Sequence, residues 1–307
     1  MSPTLSPLVV IAGPTASGKS SLALALARQF GGEIISCDSV AVYRDFEIGT
    51  AKPSRNERAL VPHHLIDVAA PEENFTAGEY ARQARAAAAA ITSRGHLPIV
   101  CGGTGLYLRA MLDGLFAGPE RNEELRARLR RRRGAGSLWR LLRRLDPEVA
   151  ERIHANDEPK LIRAIEVCVS AARPMSALLR EGRDPIQGYR ILQIGLSPER
   201  SALYAHINRR CAEMFEHGLV EETRGLLQRY GPEVFAMRSL GYRQAAEYLR
   251  GECALEEAVG RAPQGHRNYA KRQLTWFRAE AAMQWVTQFG PHAVPPATEM
   301  VGRLLAP

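Results

Sequence analysis

The segment GPTASGKS, residues 13–20, constrains the fold of this chain more than any other feature. It matches the pattern G-x-x-x-x-G-K-[ST], follows the apolar run 8–13 and precedes an alanine- and leucine-rich stretch. In that context, glycines let the loop wrap an anion with backbone N–H groups, and the following helix adds its positive end. Lys19 supplies a mobile cation, and the Ser20 hydroxyl can bind Mg²⁺. The segment predicts a phosphate-binding loop between a strand and a helix.

Apolar runs bounded by turn residues recur along the chain and predict strands. They cover residues 8–13, 33–39, 63–69, 97–103 and 190–197. Their lack of strict alternation is typical of strands covered on both faces. The segment 76–94 predicts a helix, with Thr76 and Glu79 as a capping box and Gly95 at its end. This alternation indicates an α/β fold, a P-loop NTPase-like parallel sheet flanked by helices.

The strand pattern stops near Pro119. From there to residue 188 the sequence shows helix signals and no convincing strand. We therefore predict an all-helical insertion domain, 119–188, within a core made of 1–118 and 189–307. We predict that the final segment, 290–307, is a loosely held tail.

The positive charge of the chain is concentrated in one segment. The formal net charge is +8, and residues 120–144 contain ten arginines and three glutamates. Such a cluster indicates an anionic partner too large for a small pocket, although a solvated helical surface is the alternative.

The cysteines and the first residues bear on the compartment. The five cysteines form no C-x-x-C pair and no Cys/His spacing typical of zinc, which predicts reduced thiols and a cytoplasmic protein. Residues 1–13 lack a basic segment and a long apolar run, so we expect no signal peptide and no membrane span.

On the residues considered so far, the phosphate loop leaves the function open. The chain contains no N-K-x-D tetrapeptide, which argues against a GTPase. The arginine-rich segment could form the lid of a kinase. A small-molecule kinase that uses ATP therefore remains an alternative.

Further motifs follow the loop in a characteristic order. They are DSVAVYRDFEIGTAKP (38–53), PHHLIDV (62–68), GGTGLY (102–107), RSLGYRQ (238–244) and KRQLTWFR (271–278). Together with GPTASGKS, this set resembles the tRNA dimethylallyltransferases, also called tRNA isopentenyltransferases, from about residue 8 to about residue 285. The resemblance implies transfer of a dimethylallyl group from dimethylallyl diphosphate to N6 of the adenosine 3′ of the anticodon, position 37, in tRNAs that read codons beginning with U.

The resemblance assigns the phosphate loop to the diphosphate of this donor, with Mg²⁺ as cofactor. The diphosphate-binding residues would be Gly13, Thr15, Ala16, Ser17, Gly18, Lys19 and Ser20. Ser20 would be the metal ligand, and Arg210 would bind the leaving group. Where the family pattern has a second arginine, four residues earlier, this chain has His206, which weakens a double arginine clamp.

Two residues would act at the reacting adenine. By resemblance, Asp38 is the general base on N6 and Thr104 contacts the target nucleotide. The reaction needs a base because the adenine amine is a poor nucleophile. A role for Asp38 as a ligand of Mg²⁺ or water stays open.

The resemblance also implies a tRNA-binding surface. The contacts would come from Asp38, Ser39, Val40, Ala41, Lys160, Arg163, Arg238, Arg243, Lys271, Arg272 and Arg278. Ala41 replaces the glutamine of many relatives. Pro159 and Lys160 replace a more usual Gln-Arg, and lysine keeps the charge without the planar fork. Arg121 and the arginines from Arg126 to Arg133 would hold the anticodon stem. The basic segment argues against a relative that uses free AMP, and we expect a monomer.

Overall fold

The computed structural model describes residues 5–131 and 135–306. Its contacts divide the chain into two compact units. The larger unit contains the residues up to Leu112 and those from Ile186 onward, and the smaller unit is Asp113–Pro185.

The larger unit is built on a six-stranded parallel sheet. The strands are β1 (Ser6–Ala12), β2 (Gly32–Cys37), β3 (His63–His64), β4 (Leu97–Gly102), β5 (Tyr189–Leu196) and β6 (Met283–Val286). Their order across the sheet is β3-β2-β4-β1-β5-β6, and all neighbouring pairs are parallel. The predicted parallel α/β fold is confirmed. The third strand is shorter than the apolar run 63–69 predicts, and β6 was not predicted.

Helices flank this sheet. They are α1 (Lys19–Phe30), α2 (Arg55–Leu60), α3 (Ala77–Ser93), α4 (Gly105–Leu112), α10 (Arg200–Glu216), α11 (Leu219–Tyr230), α12 (Tyr242–Leu249), α13 (Leu255–Arg278) and α14 (Val294–Leu305), with short 3₁₀ helices at Phe235–Arg238 and Gly290–Ala293. None of the helices in the described ranges is long and apolar enough to cross a bilayer.

Both faces of the sheet are buried, which explains why its strands lack a polar alternation. Val10 packs in one apolar cluster, and its neighbours Val9 and Ile11 pack in a second. Successive side chains of a strand point to opposite faces, so an apolar run serves both layers.

Helix α3 begins where the sequence predicts. The Thr76 hydroxyl accepts a hydrogen bond from the Glu79 N–H at 3.1 Å. The reciprocal half of the capping box does not form, because the Glu79 carboxylate pairs with Arg82 instead. Gly95 adopts φ +77° just after the helix, and its N–H bonds to the Thr92 carbonyl.

The prediction of a loosely held tail at 290–307 is wrong for the part that the structure describes. Helix α14 buries Ala297 and Val301 completely, in the same cluster as Leu22 and Leu26 of α1. Two adjacent prolines occupy its first turn. The backbone N–H groups of a first turn have no acceptor within the helix, so the missing N–H of proline breaks no hydrogen bond there.

The smaller unit is helical. Its helices are α5 (Glu123–Arg130), α6 (Ala135–Leu145), α7 (Pro147–Arg152), α8 (Glu158–Ala171) and α9 (Met175–Arg180). They enclose an apolar cluster that includes Leu142 and Ile165. Beside it, buried Glu166 pairs with Arg126 and Arg163. Burial alone would raise the pKa of Glu166, but these hydrogen bonds lower it to about 2.

Candidate active site

The candidate site lies at the carboxyl end of the sheet, where open α/β folds bind ligands. The loop between β1 and α1 borders a cavity of about 430 Å³. Gly13 has φ +151°, and a Cβ there would stand 2.8 Å from the Leu196 carbonyl oxygen, so a side chain would collide with β5. Ala16 and Gly18 also take positive φ values. The predicted phosphate loop therefore has a backbone curved around a binding space.

Two half-buried cations face this space. The Lys19 ammonium donates to the Pro14 carbonyl at 2.5 Å, and burial, with a contribution from Arg210, lowers its pKa to about 8. Burial also lowers the pKa of Arg210, whose Nη1 donates to the Thr15 hydroxyl at 3.3 Å.

Two buried polar atoms at the site lack partners. Among the described residues, neither Arg210 Nε nor the Ser17 hydroxyl finds a hydrogen-bond partner. Such groups are costly to bury alone. Cations and unpaired donors around one cavity are what a bound anion with several oxygens requires.

Gln273 joins the phosphate loop to the end of β4. Its Oε1 accepts the Thr15 N–H at 2.8 Å, and its Nε2 donates to the Gly103 carbonyl at 2.9 Å. Gln273 was not among the residues predicted for the site. The available signal was a glutamine on the stripe of α13 that otherwise buries Ala262, Ala270 and Phe277.

Asp38 follows β2 and borders the same cavity. Its Oδ1 accepts the N–H groups of Val40 at 2.8 Å and Ala41 at 3.1 Å. No hydrogen bond from the described residues reaches its Oδ2. The next N–H, of Ser39, donates to the Thr104 hydroxyl at 3.1 Å. The structure thus brings together Asp38, Thr104 and the phosphate loop, as the sequence predicts.

Comparison with known proteins identifies the family. A family model described as IPP transferase matches residues 41–280. A tRNA dimethylallyltransferase of Koribacter versatilis is 62% identical over 289 residues, which cover 93% of this chain and 94% of that protein. One of Solibacter usitatus is 56% identical over 287 residues, or 92% and 94% of the two chains.

The chain belongs to the IPP transferase family, the tRNA dimethylallyltransferases.

Solved structures agree with this assignment. The full-length tRNA isopentenylpyrophosphate transferase of Bacillus halodurans matches with a TM-score of 0.72 and 37% identity, over 97% of this chain and 96% of that one. A eukaryotic dimethylallyltransferase described as acting on tRNA matches with a TM-score of 0.79 and 25% identity, over 95% and 75%. Membership confirms the predicted family and makes this chain a prenyltransferase rather than a small-molecule kinase.

His206, which stands where the family pattern has a second arginine, lies at the rim of the cavity. The His206 ring packs on Phe289, with ring centroids 4.3 Å apart, and Arg209 donates to it at 3.1 Å. Burial and the neighbouring Arg209 lower the pKa of His206. Phe289 and Gly290 also line the cavity, so the first residue of the segment predicted to be a loose tail, Gly290, forms part of the site.

The residues predicted to bind tRNA differ from one another in burial and in ion pairing. Val40 is half-buried and Ala41 is buried. Lys160 is exposed beside Asp157, while Arg163 pairs with Glu166 inside the smaller unit.

The remaining predicted contacts lie in the larger unit. Arg238 pairs with Glu233, and Arg243 lies 3.8 Å from Glu247. The three predicted contacts on α13 are exposed; they are Lys271, Arg272 and Arg278.

The arginines predicted to hold the anticodon stem also differ from one another in pairing and exposure. Arg126 pairs with Glu166, whereas Arg128, Arg130 and Arg131 are exposed. Arg132 and Arg133 lie outside the described residues.

Proposed function

We propose that this enzyme transfers the dimethylallyl group of dimethylallyl diphosphate to N6 of adenosine 37, the residue 3′ of the anticodon, in tRNAs that read UNN codons. The products are N6-(dimethylallyl)adenosine and diphosphate. The observation that carries the proposal is one cavity with two chemically distinct ends. Unpaired donors lie at the phosphate loop, and a carboxylate with one open oxygen lies at Asp38.

The phosphate loop binds the diphosphate of the donor in this scheme. The N–H groups of Ala16 and Gly18, the Ser17 hydroxyl, the Lys19 ammonium and the Arg210 guanidinium stabilise negative charge, whereas the Thr15 N–H is already bound to Gln273. That charge grows on the bridging oxygen as its bond to the allylic carbon breaks. The burial that lowers the pKa of Lys19 and Arg210 makes a bound anion favourable, because the anion stabilises two positive charges that are poorly solvated.

Asp38 takes the proton that the adenine amine loses when N6 attacks the carbon. The N–H groups of Val40 and Ala41 fix its Oδ1, which aims the carboxylate and leaves Oδ2 for the substrate. Thr104 orients the target nucleotide beside it. The neighbouring Cys37 thiol stays protonated, because burial raises its pKa to about 12, and it takes no part.

Mg²⁺ is the cofactor that we propose. Within the described ranges, no three His, Cys, Asp or Glu side chains gather to hold a metal. Near the loop, the Ser20 hydroxyl can serve as one oxygen ligand. This fits Mg²⁺, which takes most of its ligands from substrate phosphates and water. When bound, Mg²⁺ would neutralise part of the diphosphate charge. We expect a chelator to weaken donor binding, which calorimetry with and without Mg²⁺ measures.

The tRNA contacts remain those predicted from the sequence. We propose that the exposed cations, Lys160, Arg238, Arg243, Lys271, Arg272 and Arg278 among them, bind the RNA backbone, while residues Asp38 to Ala41 contact the extruded adenine and its neighbours. Arg163 is a weaker candidate, because Glu166 already pairs with it. A tRNA substrate supports the cytoplasm as the compartment. The monomeric state stays a prediction, which light scattering tests.

The decisive experiment supplies radiolabelled dimethylallyl diphosphate and an anticodon stem-loop that contains A-A-A. We expect label in the RNA, and none when the target adenine is replaced or when free AMP is the acceptor. A parallel reaction contains ATP labelled at its terminal phosphate. Transfer of that phosphoryl group without prenyl transfer would overturn the proposal and favour the kinase.

A further inference from the structure

Leu106 is an exposed apolar side chain beside the candidate site. It is 49% exposed, although the residues that follow it in α4, Tyr107 and Leu108, are buried. It stands two residues after Thr104, whose hydroxyl accepts the Ser39 N–H next to Asp38. The helix therefore presents a leucine to solvent at the rim of the site.

The packing around Leu106 holds the start of α4 tightly. A Cβ on Gly105 would stand 2.3 Å from the Trp276 indole nitrogen, so this helix packs directly on α13. The Arg109 guanidinium lies 4.3 Å from the Trp276 ring centroid and pairs with Glu280 at 2.6 Å. Leu106 thus stands on a rigid element, as a side chain that must displace a nucleobase should.

Cations surround this corner of the molecule. Trp276 lines a second cavity of about 450 Å³ together with Asn268, Lys271, Arg272 and Thr275. Lys271 and Arg272 are exposed, and Arg109 lies one helical turn after Leu106. An exposed leucine flanked by cations suits RNA, whose phosphates attract the cations and whose base faces accept the apolar group.

We propose that Leu106 enters the anticodon loop and fills the space that the target adenine leaves. Extraction of a base from a stack leaves its neighbours without a stacking partner, and proteins that unstack bases often insert apolar side chains such as leucine. Leu106 is therefore a positioning residue, because it holds the extruded base in place without contacting the reacting atoms. The inference rests on the proposed function and adds to it.

The test uses a stem-loop with 2-aminopurine in place of the target adenine. This isomer of adenine fluoresces more strongly when unstacked and lacks the N6 amine, so it reports extrusion without turnover. We expect a clear fluorescence increase on binding to the wild type and a much smaller one with Leu106→Ala. Leu60→Ala is the matched control, because Leu60 is a 58% exposed leucine at the end of α2. It should behave like the wild type.

Turnover on two substrates separates positioning from a structural role. On the normal stem-loop, Leu106→Ala should lower kcat/KM about tenfold. With an abasic site 3′ of the target adenine the stack is already interrupted, and the variant should approach the wild type. A purely structural defect would lower kcat/KM equally on both substrates and would overturn the inference.

The remaining outcomes are also decisive. Equal fluorescence and turnover for Leu106→Ala and Leu60→Ala, or no fluorescence increase with the wild type, would refute the role of Leu106. If the wild type bound RNA and extruded the probe but transferred no prenyl group to the normal stem-loop, the proposed function would fail while the role of Leu106 stood.

Discussion

Strand β2 carries one carboxylate near its start and another just beyond its end, and the two have opposite surroundings. Glu33 is only 3% exposed, and its oxygens accept hydrogen bonds from Arg94 at 2.8 Å and from His64 and His96 at 2.7 Å each. Asp38 has one oxygen held by backbone N–H groups and one that no described residue binds.

The two carboxylates therefore have different roles, because Glu33 stabilises the fold and Asp38 is available for chemistry. Burial alone would raise the pKa of Glu33, but the hydrogen bonds from Arg94, His64 and His96 outweigh it and lower that pKa to about 2. A carboxylate saturated in this way stabilises the fold and has no capacity left for a substrate. Asp38 lies at the carboxyl edge of the sheet, where the open loops leave an oxygen for a ligand.

The largest effect should come from Asp38. We expect Asp38→Ala to lower kcat at least about a hundredfold, because the amine then loses its proton acceptor. RNA affinity should stay largely intact. Single-turnover kinetics measures the chemical step, and filter binding measures the RNA affinity. Asp38→Asn is the control for geometry, since its Oδ1 can still accept the N–H groups of Val40 and Ala41. Turnover equal to the wild type in either variant would exclude Asp38 as the base.

Substitution of Glu33, the saturated carboxylate, should change the stability of the fold instead of turnover. Glu33→Gln should lower the free energy of unfolding at pH 7 by about 3 kcal/mol, because Arg94 loses its buried partner. Since folding lowers the pKa of Glu33, its contribution is complete above about 4.5 and disappears as the pH falls toward 2. Denaturant unfolding of wild type and variant should therefore converge in acid. A constant difference between pH 7 and pH 3 would contradict this account.

Gln273 combines the two situations, because both ends of its amide are hydrogen-bonded and yet it lies at the functional edge of the sheet. Gln273→Met keeps the size and leaves the Thr15 N–H and the Gly103 carbonyl without partners. We expect the KM for dimethylallyl diphosphate to rise about tenfold, since the phosphate loop loses its link to β4. Gln264→Met, on the exposed face of the same helix, should leave KM unchanged. Equal KM values for both variants would mean that the link is dispensable.

The smallest effect concerns two arginines of α5 that repeat the contrast between paired and open charges. Arg126 pairs with Glu166, and no carboxylate of the described residues pairs with exposed Arg130. Arg130→Ala should weaken tRNA binding about threefold and reduce the slope of log affinity against log salt by about one. Arg126→Ala should instead lower the melting temperature. An unchanged salt slope for Arg130→Ala would place the RNA elsewhere.

Local patterns in the sequence predicted much of the fold and part of the site. The phosphate loop, helix α3 and most strands depend on neighbours along the chain, such as Thr76 before its helix or Gly13 after β1. Strand β6 was missed because a short edge strand carries little apolar periodicity. Helix α14 was missed because its adjacent prolines resemble a loop signal, although they are acceptable in a first turn.

The loop that can hold a diphosphate, the acidic residue after β2 and the family motifs could all be read from the sequence, because they are short segments whose chemistry depends on spacing. The three-dimensional packing was needed to show that Gln273 links that loop to β4 and that Phe289 lines the rim of the cavity. It also showed that Glu33 is saturated while Asp38 keeps an open oxygen. These properties depend on residues far apart in the chain that packing brings within hydrogen-bond distance, and no local pattern records which of them meet.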